Sequence, residues 1–197
     1  LATEPGLNSL DVFETPIRSW MDLLNACAEL QREDHRFKTV ALDTVDNAWL
    51  FCSEHMCGKA GVEHESDLEW GKGWAMVKRE FHRVLTKLAQ MPTGLILVSH
   101  AKNITIKTRT SEHVKAIPTL SQGGRDVILA MADTILFCGI AHDQDENKKP
   151  ITRRVMHTKP SLFYEAGDRT GRLPETIDLS YPAFLEAFNT GQKGSDE

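Results

Sequence analysis

Short apolar runs that stop abruptly at a polar residue, separated by amphipathic segments of ten or more residues, predict an α/β fold. The sheet is expected to be mostly parallel and flanked by helices, with antiparallel strands near the C-terminal end. Three observations carry this. The runs at 39–43 and 95–99 lack polar alternation, as strands covered by helices on both faces do. The segments at 19–30 and 74–88 repeat their apolar residues at helical spacing. A hairpin-like pair, 139–141 and 152–157, surrounds the polar turn 142–150.

In chain order, Leu1-Ala2-Thr3 reads as the tail of a strand ending at Glu4, with Pro5-Gly6 as the turn. Ser19 opens a helix with Asp22 three residues on, a capping-box pattern, and Trp20, Leu23, Leu24, Cys27 and Leu30 share one face. The strand at 39–43 leads into a helix from near Asp46 to Cys57, ended by Gly58 and Gly61. Gly71-Lys72-Gly73 precedes a helix bearing Val77, Phe81, Val84, Leu85 and Leu88, stopped by Met91-Pro92-Thr93-Gly94. A second buried strand ends in His100, and the polar, basic segment 101–122 reads as a loop that is only weakly β-like at 104–106. Gly123-Gly124 opens a helix through Met131, and a third buried strand spans 134–138. Ser180-Tyr181-Pro182 starts the last helix, with Phe184, Leu185 and Phe188. Residues 1–189 are expected to form one domain and 190–197 a disordered tail.

The 197 residues suffice for one full core, and 41% hydrophobic with 26% charged residues is the balance of a soluble globular protein. No apolar run approaches membrane-spanning length and no secretory signal is present, so no membrane partner is expected. Cys27, Cys52, Cys57 and Cys138 lie in apolar or helical patterns, which favours reduced cytosolic thiols. A net charge of −5 excludes a generic polyanion binder and leaves only a local patch for nucleic acid.

Parallel strands bring their carboxyl ends to one edge, where open α/β sheets bind ligands. Glu4, Asp43 and His100 each end such a strand. A metal-bound nucleotide needs that assembly: one acid for Mg²⁺ or its water, one group to polarise the attacking water, and one to sense the γ-phosphate. Asp43 followed by Thr44 is a Walker B candidate, and a helix-capping Asp43 is the alternative. No G-x-x-x-x-G-K-[ST] occurs; Gly58-Lys59 and Gly71-Lys72 are followed by Ala and Gly. The start at Leu1, without Met and in mid-strand, leads to the expectation that a P-loop preceded it.

The order and spacing resemble the RecA-type ATPase core, specifically phage nucleotide-binding proteins related to single-strand annealing recombinases. Leu1-Ala2-Thr3-Glu4 resembles the strand ending in the catalytic glutamate, and Val40-Ala41-Leu42-Asp43-Thr44 resembles Walker B. Leu95-Ile96-Leu97-Val98-Ser99-His100 resembles the strand ending in the γ-phosphate-sensing glutamine, with His100 in its place. Ser121-Gln122-Gly123-Gly124-Arg125 resembles the helix start that follows the loop contacting single-stranded DNA. Glu165-Ala166-Gly167-Asp168-Arg169-Thr170-Gly171 resembles a segment of the phage proteins, with Gly167 where a lysine is expected. The resemblance implies a RecA-like fold binding ATP and Mg²⁺, Asp43 holding Mg²⁺ through water with Thr44 in support, and Glu4 and His100 in catalysis. It also implies a missing P-loop unit of roughly 20–40 residues. Further implications are assembly into a ring or filament, with Lys159 or Arg169 reaching a neighbour's phosphate, and a place in the cytoplasm of a phage-infected or prophage-carrying bacterial cell. For both residues an ordinary surface charge is the alternative.

Residues 101–120 carry Lys102, Lys107, Arg109 and Lys115 against one acid, Glu112. Such a basic segment can neutralise the phosphates of single-stranded DNA by counterion release, though it contains no Phe, Tyr or Trp to stack on bases. Trp70 and Trp74 are the nearest stacking candidates; a solvated segment and a core Trp74 are the alternatives. Cys52, His55, Cys57 and His64 have soft-ligand character, but spacings of two and three on a helix favour structural cysteines over zinc. A non-hydrolysing single-strand-binding module, or a helicase- or packaging-type motor on the same core, are the rival functions.

Overall fold

The computed structural model of the chain describes all residues except 8, 33–34, 145–147 and 192–197. The fold consists of two compact units, residues 1–101 with 118–131, and residues 102–117 with 132–197.

The first unit carries helices α1 (Trp20–Arg32), α2 (Val45–Ala60), α3 (Lys72–Ala89) and α4 (Gln122–Met131), with strands β1 (Thr39–Asp43) and β2 (Gly94–Val98). β1 and β2 pair in parallel, Thr39 opposite Gly94 and Asp43 opposite Val98. Ala2 bridges Asp43 on the other side of β1 and Pro16 beyond it, both in parallel. The opening residues therefore extend the sheet as expected, through Asp43 N–H donating to Leu1 O at 3.0 Å and Thr3 N–H to Asp43 O at 2.7 Å. The burial pattern differs from the expectation of two covered faces. Val40 and Leu42 are buried and Leu95 and Leu97 pack on the core, while Ala41, Ile96 and Val98 are exposed. One face of these strands is covered, and apolar residues on the other hide the alternation from a sequence reading.

Beneath the covered face, Trp20, Leu23, Cys27, Leu42, Val45, Trp49, Val77, Phe81, Leu85 and Leu88 form the main core. Trp20 stacks on Phe81 at 6.1 Å, and Trp49 meets Phe81 edge-on at 5.0 Å. Ser19 caps α1 by accepting from Asp22 N–H, while Asp22 accepts from Arg18 N–H. α2 runs past Gly58, which was expected to end it, and stops at Gly61, whose left-handed φ of 69° terminates the helix. Asp43 is not its cap: Thr44 occupies that position, and its side chain makes no capping bond. Trp74, weighed as a core residue, is 47% exposed, and Trp70 is 91% exposed with φ 59°. α3 and α4 approach their neighbours through glycine. A Cβ on Gly73 would collide with the Glu65 backbone, and one on Gly124 would sit 2.8 Å from Leu120 Cδ2 and 2.9 Å from Trp49 Cε3.

In the second unit the segment expected to be a loop is a two-stranded ribbon, β3 (Ala101–Lys107) with β4 (Glu112–Pro118). Its polar strands are exposed over most of their length, so the apolar signal that marks a half-buried strand is absent. The expected strand 134–138 divides: β5 (Thr134–Ile135) pairs antiparallel with β8 (Gly167–Asp168), and β6 (Phe137–Gln144) pairs antiparallel with β7 (Pro150–His157). It is half-buried and takes no part in the parallel sheet. β9 (Thr176–Asp178) adds to β7. Helix α5 (Tyr181–Thr190) begins with Ser180 accepting from Ala183 N–H, and Phe184 and Phe188 pack beside Met156, Leu173 and Ile177. Thr190 closes this helix, and residues 192–197 of the expected tail lie outside the described residues. The side chain of Asp168 is shut off from solvent. Burial opposes its charge, but the Thr170 hydroxyl and the N–H groups of Leu173 and Thr170 donate to it, and Lys159 lies 3.6 Å away, so its carboxyl is held below 3.8.

Gly124→Ala and Gly73→Ala are expected to destabilise the chain by about 1–3 kcal/mol through overpacking. Gly58→Ala, mid-helix with nothing within 4 Å of the new Cβ, should stabilise it by roughly 0.5–1 kcal/mol; thermal denaturation of the three variants reads both signs. Because the folded-state pKa of Asp168 is depressed, its contribution is complete above 3.8 and is lost as pH falls through the lower folded value. Asp168→Asn should remove that acid-side slope from a denaturation series.

Candidate functional site

The register decides where the polar strand ends arrive. Ala2, Asp43 and Val98 lie in one row across three parallel segments, so Thr3, Thr44 and Ser99 follow in the next row and Glu4 and His100 in the one after. His100 Nε2 is 3.0 Å from Glu4 Oε1 and 3.3 Å from Oε2, the Nε2–H tautomer donating. Asn47 Nδ2 donates to Glu4 Oε2 at 3.1 Å and to Thr3 O at 3.4 Å. The buried Thr44 hydroxyl donates to the same carboxylate at 3.4 Å. Glu4 is thus held by three side chains from β1's end, the first turn of α2 and β2's end.

A second acid positions His100. Asp46 accepts from Ser99 Oγ at 3.0 Å and from His100 N–H at 3.1 Å, one oxygen to each. Thr3 ties the opening segment to the start of α2: its hydroxyl accepts from Thr44 N–H at 2.7 Å and donates to Thr44 O at 2.9 Å. The peptide Asp43–Thr44 is cis. His100 O accepts from Thr119 N–H at 2.9 Å, which joins the residue before β3 to the residue after β4. Asp46, Asn47, Thr3 and Ser99 were missed by the sequence reading. Polar residues in a first helical turn read as ordinary partners of the helix dipole, and the available signal was their placement directly after a strand-ending Asp-Thr.

Asp43 uses only its backbone in this network. Among the described residues its carboxylate has no hydrogen-bond or ion-pair partner, and no three His, Cys, Asp or Glu side chains there converge to hold a metal directly. One carboxylate that no side chain engages, with the Leu1 ammonium as its electrostatic neighbour, fits Mg²⁺, which keeps several of its waters and takes one or two carboxylates with substrate phosphates. Cys52, weighed as a zinc ligand, is buried in the core with its thiol donating to Val77 O at 3.8 Å, and burial pushes that thiol up.

The remaining sequence candidates lie in the second unit. Lys102, Lys107 and Arg109 are exposed on the β3–β4 ribbon and its turn. Lys107 pairs with Glu112 at 3.3 Å, and Lys115 with Glu165 at 2.8 Å. Lys159 faces Asp168, and Arg169 N–H donates to Asp133 O.

No helix among the described residues is long and apolar enough to cross a membrane. The family model described as AAA domain matches residues 1–170. Comparison with curated proteins and with solved structures returned no match. The matched stretch contains Glu4, the Asp43–Thr44 turn, His100 and the ribbon, and over that length the chain belongs to the AAA domain family of P-loop-type, nucleotide-binding ATPases.

Proposed function

We propose that the chain is part of a RecA-like, Mg²⁺-ATP-dependent phage protein of DNA recombination or single-strand annealing. It would work in the cytoplasm of an infected or prophage-carrying bacterium. The observation that carries the enzymatic reading is the Glu4 carboxylate, held by His100, Asn47 and Thr44 at the carboxyl edge of parallel segments. The sequence contains no G-x-x-x-x-G-K-[ST], and in this reading a P-loop segment outside the 197 residues supplies the phosphate cradle.

In this reading Glu4 orients the attacking water and accepts its proton, since a carboxylate fixed by three donors presents its remaining lone pairs in one direction. Asp43 would hold Mg²⁺ through water, with Thr44 supporting that end of β1; bound there, the cation would supply neutralisation of phosphate charge. His100 sits at the edge facing Glu4, and its backbone joins both roots of the ribbon, through Ala101 and through Thr119. A shift of His100 with phosphate state therefore reaches Lys102, Lys107, Arg109 and Lys115, the proposed contacts to single-stranded DNA. In a ring or filament, Lys159 or Arg169 of one subunit would approach the nucleotide of the next; for Lys159 this requires release from Asp168.

The test is Mg²⁺-ATP hydrolysis by the protein carrying its P-loop, with and without single-stranded DNA. Glu4→Gln is expected to lower kcat by about 10²–10⁴-fold while ATP binding persists, and Asp43→Asn to raise the Mg²⁺ concentration that hydrolysis requires. Absence of hydrolysis, or an unchanged rate in Glu4→Gln, would sink the enzymatic reading. His100→Ala removes one donor from the Glu4 carboxylate and should lower basal hydrolysis, and stimulation of the remaining activity by single-stranded DNA should be lost. Stimulation that survives intact removes His100 from the coupling role.

A further inference from the structure

Single-strand binding combines phosphate-neutralising charge with aromatic faces on which bases stack. The ribbon supplies only charge, because residues 101–120 contain no Phe, Tyr or Trp. The fold brings the missing half from 43 residues further along. The segment around Tyr164 runs beside β4 in parallel, with Ala116 N–H donating to Phe163 O at 2.8 Å and Glu165 N–H to Ala116 O at 3.0 Å. Alternate residues of an extended segment face opposite sides. Tyr164 turns to one side, where it stacks against Phe137 at 4.9 Å and His157 at 4.6 Å, rings that lie 6.1 Å from each other. Phe163 turns to the other, 63% exposed, with the His113 ring edge-on at 6.4 Å and the Lys115–Glu165 pair on the same side.

We infer that Phe163 is the base-stacking platform of a single-stranded-DNA face whose phosphates are met by the basic residues of the ribbon. This deepens the DNA part of the proposed function and rests on it. A lone exposed aromatic is ordinary surface; the placement is what sets this one apart. Two main-chain bonds and the half-buried Tyr164 stack hold its backbone, so presenting the ring costs little ordering. It is flanked by a cation and a second ring, beside a ribbon with four basic residues and one acid. Charge complementarity favours a polyanion as occupant. Glu165 opposes this locally by neutralising Lys115, so Lys115 contributes to phosphate binding only when that pair opens.

The experiment follows fluorescence anisotropy of labelled oligo(dT), and of an abasic strand of the same length, on the 197-residue chain across a salt series. Wild type is expected to prefer oligo(dT). Phe163→Ala should bind it about tenfold more weakly at every salt concentration, with an unchanged salt slope and no preference over the abasic strand. Phe163→Trp should retain the preference. Glu165→Gln, by freeing Lys115, should tighten binding and steepen the slope by about one phosphate contact. The inference is overturned if Phe163→Ala matches wild type, or if wild type binds both strands equally. It is also overturned if the substitution leaves DNA binding intact but changes sedimentation without DNA, which would make the face a protein contact. Salt-dependent binding that disappears on reversing Lys107 and Arg109 keeps the DNA reading whatever Phe163 does, and no binding by wild type removes both.

Discussion

The parallel row Pro16–Ala2–Asp43–Val98 is the constraint on which the candidate site depends. Every segment in it runs the same way, so every segment delivers its last polar residues to the same edge. An antiparallel opening segment would carry Glu4 to the far end of β1. A shift of one residue would turn its side chain to the opposite face, away from His100. The apolar residues below the row, Leu42, Leu95 and Leu97, hold the register by packing into one core, and Val40 is buried beside them. Chemistry at the edge and packing beneath it are thus two ends of the same alignment.

The first turn of α2 completes the edge. Asp46 and Asn47 fall on the side facing the strand ends, one gripping the 99–100 backbone and the other the Glu4 carboxylate. The helix can do this because its opposite face, through Val45, Trp49 and Cys52, is sunk in the core. Trp49 in turn receives α4 at Gly124. The glycines that open α4, which resemble those beginning a recombinase helix, therefore have a packing reason that is independent of any DNA contact.

Much of this was legible in the residues. The meeting of Glu4, Thr44 and His100 could be read because parallel topology follows from strands alternating with long helices, whereas Asp43 joins them only through its backbone. What was not legible came from two physical causes. The first is that exposed polar strands lack periodicity, so β3 and β4 looked like a loop, and the exposed apolar residues Ala41, Ile96 and Val98 made a one-sided sheet look doubly covered. The second is that partnerships across long separations leave no local trace. Nothing near Asn47 indicates Glu4, and nothing near Phe163 indicates a ribbon that ends at Pro118.

The outer edge of β2 has a practical consequence. Among the described residues nothing pairs with it, and Gly94-Leu95-Ile96-Leu97-Val98 contains neither charge nor proline. Natural sheets blunt such borders with lysine, proline or a covering element, because an unfilled row of N–H and C=O groups accepts any extended apolar chain. The 197 residues taken alone therefore carry an adhesive margin on the strand that leads to His100. Their colloidal behaviour at high concentration will be governed by that margin more than by the net charge of −5.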